Sequence, residues 1–406
     1  MSTPLTYLIA GCGVAGITAA QEIRRLDGRG RILLIGDEPY YYRGSLSDWL
    51  AGRMTDEMLP ARTPAFYNQM ALDRIPGRIA QVDPDAHQVA LDDGRLLAYD
   101  RLLLATGARA NQIDIPGLAP EDTGVLRSWA DARALVERVG CCGRALILGG
   151  GVLGLELAGA LVEMGGKQVA IVQRSAYVGP PLLDAPAADW LQARIHAAGV
   201  DLFLEDTVAE VKDHRALLQS GREWVFDLLV QSIGVRPVFP PVPGLEVGRG
   251  IRIGPAGRTN LADIYAAGDC TETLVPGSDR WAPTRTWLES ARQGRVAGHN
   301  MAGGKGAVLT QVPFYNASVL FDTMYSYIGD PYGKGPVHHW ETPGAYRHLR
   351  LHEGRLAGAL LLGDRRGSQA ICRAIGQEVA RYGEALARPD FPWNDLTGLD
   401  WDYDFY

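Results

Sequence analysis

Tyr7-Leu8-Ile9-Ala10-Gly11-Cys12-Gly13-Val14-Ala15-Gly16 and Ala145-Leu146-Ile147-Leu148-Gly149-Gly150-Gly151-Val152-Leu153-Gly154 are two copies of one pattern, their first glycines 138 residues apart. Each reads as an apolar strand, a tight turn and a helix. In a G-x-G-x-x-G turn the first glycine permits the bend and the second lets the backbone approach a pyrophosphate. The third lets helix and strand pack closely, and the helix N-terminus faces the negative charge. A single copy is weak evidence, because glycine-rich turns are common. Two copies a domain length apart imply two dinucleotides, and hence two redox cofactors, in one chain.

The 406 residues leave room for two or three domains. A hydrophobic content of 47% supports sizeable cores. The net charge of −7, with both signs mixed throughout, argues against a nucleic-acid partner. No basic region precedes the first apolar stretch, and residues 5–10 are too few for a signal-peptide core. The most membrane-like run, residues 145–162, holds five glycines and Glu156, so a buried strand, turn and helix is expected there rather than a membrane span. The five cysteines, Cys12, Cys141, Cys142, Cys270 and Cys372, form no CxxC, which fits a reducing cytoplasm. Cys141-Cys142, between Gly140 and Gly143, is expected to be two small residues in a loop, since adjacent cysteines bridge only with strain. His338-His339 has no matching cluster, so no metal site is expected.

After the first fingerprint, a helix over 17–26 leads to a strand over 31–35. Asp37 follows 21 residues past Gly16, with Glu38 next to it, where a carboxylate can bind a ribose 2′-hydroxyl. Residues 39–52 are an aromatic loop entering a helix. Residues 75–100 alternate around Asp92-Asp93-Gly94, a hairpin signal. A buried strand then ends at Ala105-Thr106-Gly107. The second fingerprint opens its own strand–helix–strand unit, whose second strand ends at Gln173-Arg174. Another buried strand over 228–234 closes at Gly234. Further on, a strand ends in Ala267-Gly268-Asp269, and a helix over 287–301 carries Ala291, Gly294, Ala297 and Gly298. The last part is expected to form strands over 318–325, 346–352 and 356–362 and one helix over 368–382. From Asp390 the tail has five aspartates, six aromatics and no lysine or arginine, a composition that disfavours disorder and fits a packed terminus or a partner contact.

First fingerprint, Ala-Thr-Gly, second fingerprint and Ala-Gly-Asp, in that order, resemble the FAD/NAD(P)-linked pyridine nucleotide reductases over residues 5–370. Arg43 in Tyr40-Tyr41-Tyr42-Arg43-Gly44-Ser45-Leu46-Ser47 is similar to the arginine segment of rubredoxin and ferredoxin reductases, as are Trp287, Gln293 and Gly294 to a helix of that branch. The run from Arg355 to Asp364 is similar to the last domain of rubredoxin reductases and of the flavin part of NADH-nitrite reductases.

The resemblance implies an α/β chain with two Rossmann-like domains and a C-terminal α+β domain. Residues 1–112 and 235–303 would bind FAD, 113–234 NAD(P), 304–385 would form an interface-type domain and 386–406 an acidic aromatic tail. It implies FAD at Gly11, Gly13, Gly16, Asp37 or Glu38, Arg43, Thr106, Gly107, Gly268 and Asp269. The nicotinamide coenzyme would face Gly149, Gly151, Gly154, Glu156, Gln173, Arg174 and Gly234. Hydride would pass from NAD(P)H to the flavin, and electrons on to a small iron–sulfur carrier such as rubredoxin or ferredoxin, or to another redox subunit. An NAD(P)H oxidase or diaphorase, a flavoprotein subunit of a larger complex and a homo-oligomer stay open as alternatives.

Several positions depart from the relatives. No cysteine stands near 43–50, which excludes thiol chemistry beside the flavin. Asp48 replaces a lysine that could pair with Glu156, so Asp48 is expected either to point away or to change the site's electrostatics. Glu156, expected in the first helical turn, would line the nicotinamide pocket. Trp287 is expected either to shield the flavin or to be a core residue. Gln173 stands where a glutamate would favour NAD, and Arg174 could bind a 2′-phosphate or be surface charge; both coenzymes stay open, with NADH the first expectation. Arg347, Arg350, Arg365 and Arg366 are candidates for docking an acidic carrier.

Overall fold

The computed structural model describes residues 4–275, 279–304, 306–309 and 312–397. The chain divides into two compact units, Met1–Asn111 with Arg127–Trp129 and Val235–Gln311, and Gln112–Leu126 with Ala130–Gly234 and Val312–Tyr406.

The first unit is built on a five-stranded parallel sheet in the order Ile264–Ala266, Arg101–Leu104, Thr6–Ala10, Arg31–Ile35, Leu72–Ile75. Apart from the edge strand Leu72–Ile75, with Asp73 and Arg74 exposed, its strands are nearly continuous apolar runs because both faces are covered; Leu8, Ile9, Leu102, Leu103 and Leu104 are wholly buried. The helices Val14–Leu26 and Trp287–Met301 lie together on one face. A Cβ on Gly294 would stand 2.2 Å from the Ala15 carbonyl oxygen, and one on Gly298 2.5 Å from that of Ala19. The small residues of the second helix therefore bring the two backbones into direct contact. That helix starts at Thr286, whose side chain accepts the Glu289 N–H at 3.3 Å, and Thr-x-x-Glu is a sequence signature for such a cap. The expected hairpin is present as Gln88–Leu91 and Leu96–Ala98.

The second unit carries a parallel sheet in the order Asp201–Leu204, Gln168–Gln173, Arg144–Leu148, Leu228–Gln231, Thr123–Gly124. It also carries an antiparallel sheet in the order Tyr315–Leu320, Thr323–Gly329, Arg355–Leu362, Ala345–His352, Val337–Thr342. A single strand over 318–325 is not formed. Phe321, at φ +60, and Asp322 turn the chain between two strands, and the sequence shows no glycine, proline or asparagine there to mark the turn. The helix expected over 368–382 stops at Ala374: Ile375 is non-helical and Gly376 has φ +85. A separate 3-10 segment follows at Ala380–Ala387. His338-His339 lies in an edge strand that alternation alone did not reveal. Trp393 is buried and packs on this sheet's apolar face with Ile371 and Leu386, while residues 398–406 of the tail lie outside the described residues.

Two of the arginines expected to dock a carrier are interior. Arg347 is 0% exposed and donates to the Arg366 carbonyl at 2.9 Å. Arg350 donates to the Asp330 carbonyl at 2.7 Å, the Lys334 carbonyl at 2.7 Å and the Asp330 carboxylate at 2.9 Å. Both bridge loops to the sheet from inside. Their long stems and forked donors suit buried carbonyl cages as well as a charged face, and sequence composition does not separate those uses. Arg366 is exposed but paired with Asp364. Beside them, buried His348 makes a 2.9 Å bond from Nε2 to the Pro331 carbonyl, and burial holds its basicity below the ordinary histidine value.

Candidate functional site

The two glycine turns share the hydrogen bonding that joins them to their strands. Ala10 pairs with Ile35 and Leu104 in the first sheet, as Leu148 pairs with Val172 and Gln231 in the second. The Gly11 N–H donates to Ile35 at 2.9 Å, and the Gly149 N–H to Val172 at 2.8 Å. On the other side, Ala105 donates to Ala10 and Ser232 to Leu148, each at 2.8 Å. Both first glycines need their positive φ, +121 and +111.

The three glycines of each turn do different work. A Cβ on Gly11 would meet the Ala105 carbonyl oxygen at 2.1 Å, and one on Gly149 that of Ser232 at 2.4 Å. A Cβ on Gly16 or Gly154 would meet the carbonyl oxygen of its own first glycine at 2.0 or 1.9 Å. At Gly13 and Gly151 nothing lies within 4 Å. The middle glycine of each turn thus faces open space at the start of a helix, where a pyrophosphate can meet backbone N–H groups. The residues present fit a dinucleotide in both units.

In the first unit Arg43 and Asp269 are joined through Arg127, Glu38 is held by Tyr41, and Asp37, Thr106 and Gly107 have partners of their own. Asp37 accepts the Gly77 N–H at 3.0 Å and Arg78 Nε at 2.9 Å. Glu38 accepts the Tyr41 hydroxyl at 2.9 Å, and that hydroxyl oxygen accepts the Trp129 N–H at 3.0 Å. Burial is the first cause that raises the Tyr41 phenol above its ordinary value. Arg43 lies over the Tyr41 ring and donates to the Arg127 carbonyl. Thr106 donates to the Val238 carbonyl, and the Gly107 carbonyl accepts the Val238 N–H at 3.0 Å. Asp269 accepts Arg127 Nη2 at 2.6 Å and the Ser290 hydroxyl at 3.3 Å.

Of two further parts of this group, the first was missed in the sequence and the second was read there only as part of a helix resemblance, without a role. Arg127, from a short segment far from either fingerprint, ties Arg43 to Asp269 and also donates to the Ala108 carbonyl at 3.0 Å. No local pattern marks it. Gln293, 0% exposed, accepts the Gly268 N–H at 2.8 Å and the Thr271 hydroxyl at 3.0 Å, and donates to Thr284 at 2.6 Å. It holds the Gly268-Asp269 turn from behind.

Trp287 is 41% exposed, so it is not a core tryptophan. Asp48 is held by Arg53 at 2.7 Å, and an aspartate with that partner needs no lysine-like role. In the second unit, Glu156 is the fifth residue of the helix Val152–Glu163, and that helix has no acidic residue in its first turn. This places Glu156 beyond the reach of the helix terminus, contrary to expectation. It accepts the Ser318 hydroxyl at 2.6 Å. Gln173 Oε1 accepts the Gly150 N–H at 2.8 Å, Arg174 is exposed, and Gly234 has φ +90.

Paired cradles of this kind define a flavin- and nicotinamide-dependent oxidoreductase. The chain belongs to the pyridine nucleotide-disulphide oxidoreductase family, whose profile matches residues 5–297, and the family's cofactors are FAD and NAD(P)H. It is 34% identical over 313 residues to the 3-phenylpropionate/cinnamic acid dioxygenase ferredoxin–NAD(+) reductase component of Photorhabdus laumondii, covering 73% of this chain and 78% of that one. It is 31% identical over 278 residues to a rubredoxin–NAD(+) reductase of Pseudomonas putida, covering 66% and 72%. The fold is that of the reductase in a covalent putidaredoxin reductase–putidaredoxin complex, with a TM-score of 0.87 at 23% identity over 98% of this chain and 99% of that one. Despite the family's name, no cysteine stands between residues 43 and 50, and all five cysteines are free. No helix among the described residues is long and apolar enough to cross a membrane.

Proposed function

We propose that this chain oxidises NADH or NADPH at the second cradle, holds FAD in the first, and delivers electrons to a small iron–sulfur protein of the ferredoxin or rubredoxin kind. The observation that carries this reading is the repeated turn with its middle glycine open, at Gly13 and again at Gly151. FAD, when bound, accepts a hydride from the nicotinamide and releases electrons one at a time. The protein's part is to bind and orient. Gly11, Gly13 and Gly16 hold the pyrophosphate, Asp37 or Glu38 the adenosine ribose, and Arg43, Thr106, Gly107, Gly268 and Asp269 the rest of the flavin nucleotide. Arg127 and Gln293 fix Arg43 and the Gly268-Asp269 turn in place. Gly149, Gly151, Gly154 and Gly234 hold the nicotinamide coenzyme, with Glu156 lining its pocket and exposed Trp287 covering the flavin. Asp48 closes onto Arg53 at the rim. Residues 1–112 with 235–303 act as the FAD domain, 113–234 as the coenzyme domain and 304–385 as the interface domain. The absence of a cysteine near 43–50 sends electrons outward without a protein disulfide. Five free cysteines suit a cytoplasmic location.

Anaerobic mixing of the FAD-loaded protein with NADH, then with oxidised ferredoxin or rubredoxin, tests the proposal. The yellow colour should bleach within seconds and return as the carrier is reduced. Protein that stays yellow with both nicotinamides rejects it.

A further inference from the structure

The duplicated cradle is an internal ruler for coenzyme choice. Because Ala10 pairs with Ile35 and Leu148 with Val172, Gly36-Asp37-Glu38 in the first cradle corresponds in register to Gln173-Arg174-Ser175 in the second. In dinucleotide-binding motifs the corner beyond the second strand takes the 2′ side of the adenosine ribose. A carboxylate there accepts the 2′-hydroxyl and repels a 2′-phosphate, whereas a nearby arginine accommodates the phosphate. The first cradle has two carboxylates at the corner and the second has none.

The second corner is built from neutral and positive groups. The Gln173 amide oxygen is drawn onto the glycine turn by the Gly150 N–H at 2.8 Å, and its amide nitrogen donates to Ser175. In the first cradle no such contact is possible, since Gly36 has no side chain and a Cβ there would stand 2.7 Å from Cys12 Sγ. Gln173 is thereby held beside the coenzyme turn as an uncharged group, and Arg174 next to it is exposed. The neighbouring Asp206 carboxylate is already engaged by Ser220 at 2.5 Å, Arg222 at 2.9 Å and the Thr207 N–H at 2.9 Å. Exposed Glu205, whose N–H donates to the Ser175 carbonyl at 3.1 Å, is the acidic side chain that could oppose a phosphate from the adjoining strand.

We infer that the Gln173-Arg174 corner admits a 2′-phosphate, so that the chain uses NADPH as well as NADH, with Arg174 binding the phosphate and Gln173 withholding the negative charge that would exclude it. The inference rests on the reductase reading of the second cradle and names the coenzyme class that cradle takes.

Two measurements test it on the FAD-loaded full chain. Calorimetry with adenosine 2′,5′-bisphosphate against adenosine 5′-phosphate reads the corner without any redox step. Flavin reduction by NADPH against NADH reads it in turnover. The 2′-phosphate should strengthen binding, and kcat/KM for the two coenzymes should lie within about tenfold, the scale of one charge-assisted hydrogen bond. Arg174→Ala should lower kcat/KM for NADPH about tenfold more than it lowers that for NADH, and Gln173→Glu should shift the ratio of the two coenzymes in the same direction by repulsion. NADH reduction without NADPH reduction, or an Arg174→Ala loss equal for both coenzymes, overturns this inference and leaves the reductase reading standing. NADPH use that appears only in Glu205→Gln also overturns it. Reduction by neither coenzyme, with no binding of either adenosine phosphate, removes both.

Discussion

Alanine at Gly151 and alanine at Gly154 separate ligand approach from helix packing within one turn. Gly151 has φ −78 and ψ −173, extended backbone that any residue adopts. Its Cβ would have no neighbour within 4 Å. Gly151→Ala should therefore unfold within about 0.5 kcal/mol of the parent. The same methyl group occupies the space the pyrophosphate needs, so it costs at least one charge-assisted hydrogen bond. At about 1.5–3 kcal/mol, that weakens NADH binding by about tenfold to a hundredfold. Gly154 is the opposite case. Its Cβ would lie 1.9 Å from the Gly149 carbonyl oxygen, about 1.5 Å inside ordinary contact, and the opposing atom is backbone that cannot rotate away. Overpacking of this kind costs about 1–3 kcal/mol or more, which lowers the melting temperature of that unit by about 2–4 °C per kcal/mol. Thermal unfolding, FAD content and the KM for NADH with ferricyanide as acceptor distinguish the two. Both variants should stay yellow, because the flavin cradle is untouched. If Gly151→Ala melts as early as Gly154→Ala, or binds NADH like the parent, the division of labour argued for the three glycines is wrong.

Gln293→Leu should cost about 2–4 kcal/mol, because it leaves the buried Gly268 N–H without its acceptor and breaks the Thr271 and Thr284 bonds; loss of FAD on gel filtration is the readout, and full retention would show that the turn holds itself. Arg127→Met should weaken FAD binding more than tenfold through the uncompensated Asp269 carboxylate and the released Arg43, measured by fluorescence of released flavin; an unchanged Kd rejects the link. For His348, burial lowers the native value, so the unfolded chain takes up the proton first and stability is lost as pH falls below about 6.5. The slope attributable to it is at most about 1.4 kcal/mol per pH unit, and His348→Gln, which keeps a donor toward Pro331, should flatten urea-unfolding midpoints between about pH 6.5 and 5; equal slopes would place the acid sensitivity elsewhere.

The parts legible in the sequence were those where local chemistry and tertiary role coincide. The glycine turns could be read because each glycine answers a steric demand that no other residue meets. Buried parallel strands such as Arg144–Leu148 show as unbroken apolar runs, and the helix Trp287–Met301 lies where residues 287–301 were expected to form one. The hairpin at Phe321-Asp322 was hidden because the register of its strands, rather than a turn residue, forces the bend. Arg127 was hidden because its partner Asp269 is 142 residues distant in the chain; Gln293 showed only within a family-like helix, and its role behind Gly268, 25 residues away, did not. Arg347 and Arg350 misled because an arginine in a strand has the same letter whether it faces water or a cage of carbonyls.

The near-contact between the helices Val14–Leu26 and Trp287–Met301 also has a bearing on biosynthesis. A chain leaving the ribosome makes the first helix some 270 residues before the glycine-lined surface that covers it. Until that surface is made, Ala15, Ala19 and their neighbours stay uncovered, and the first glycine turn lacks the helix that backs it. A chain that stops before Trp287 lacks the helix that packs on Val14–Leu26, even though every residue of the first glycine turn is present.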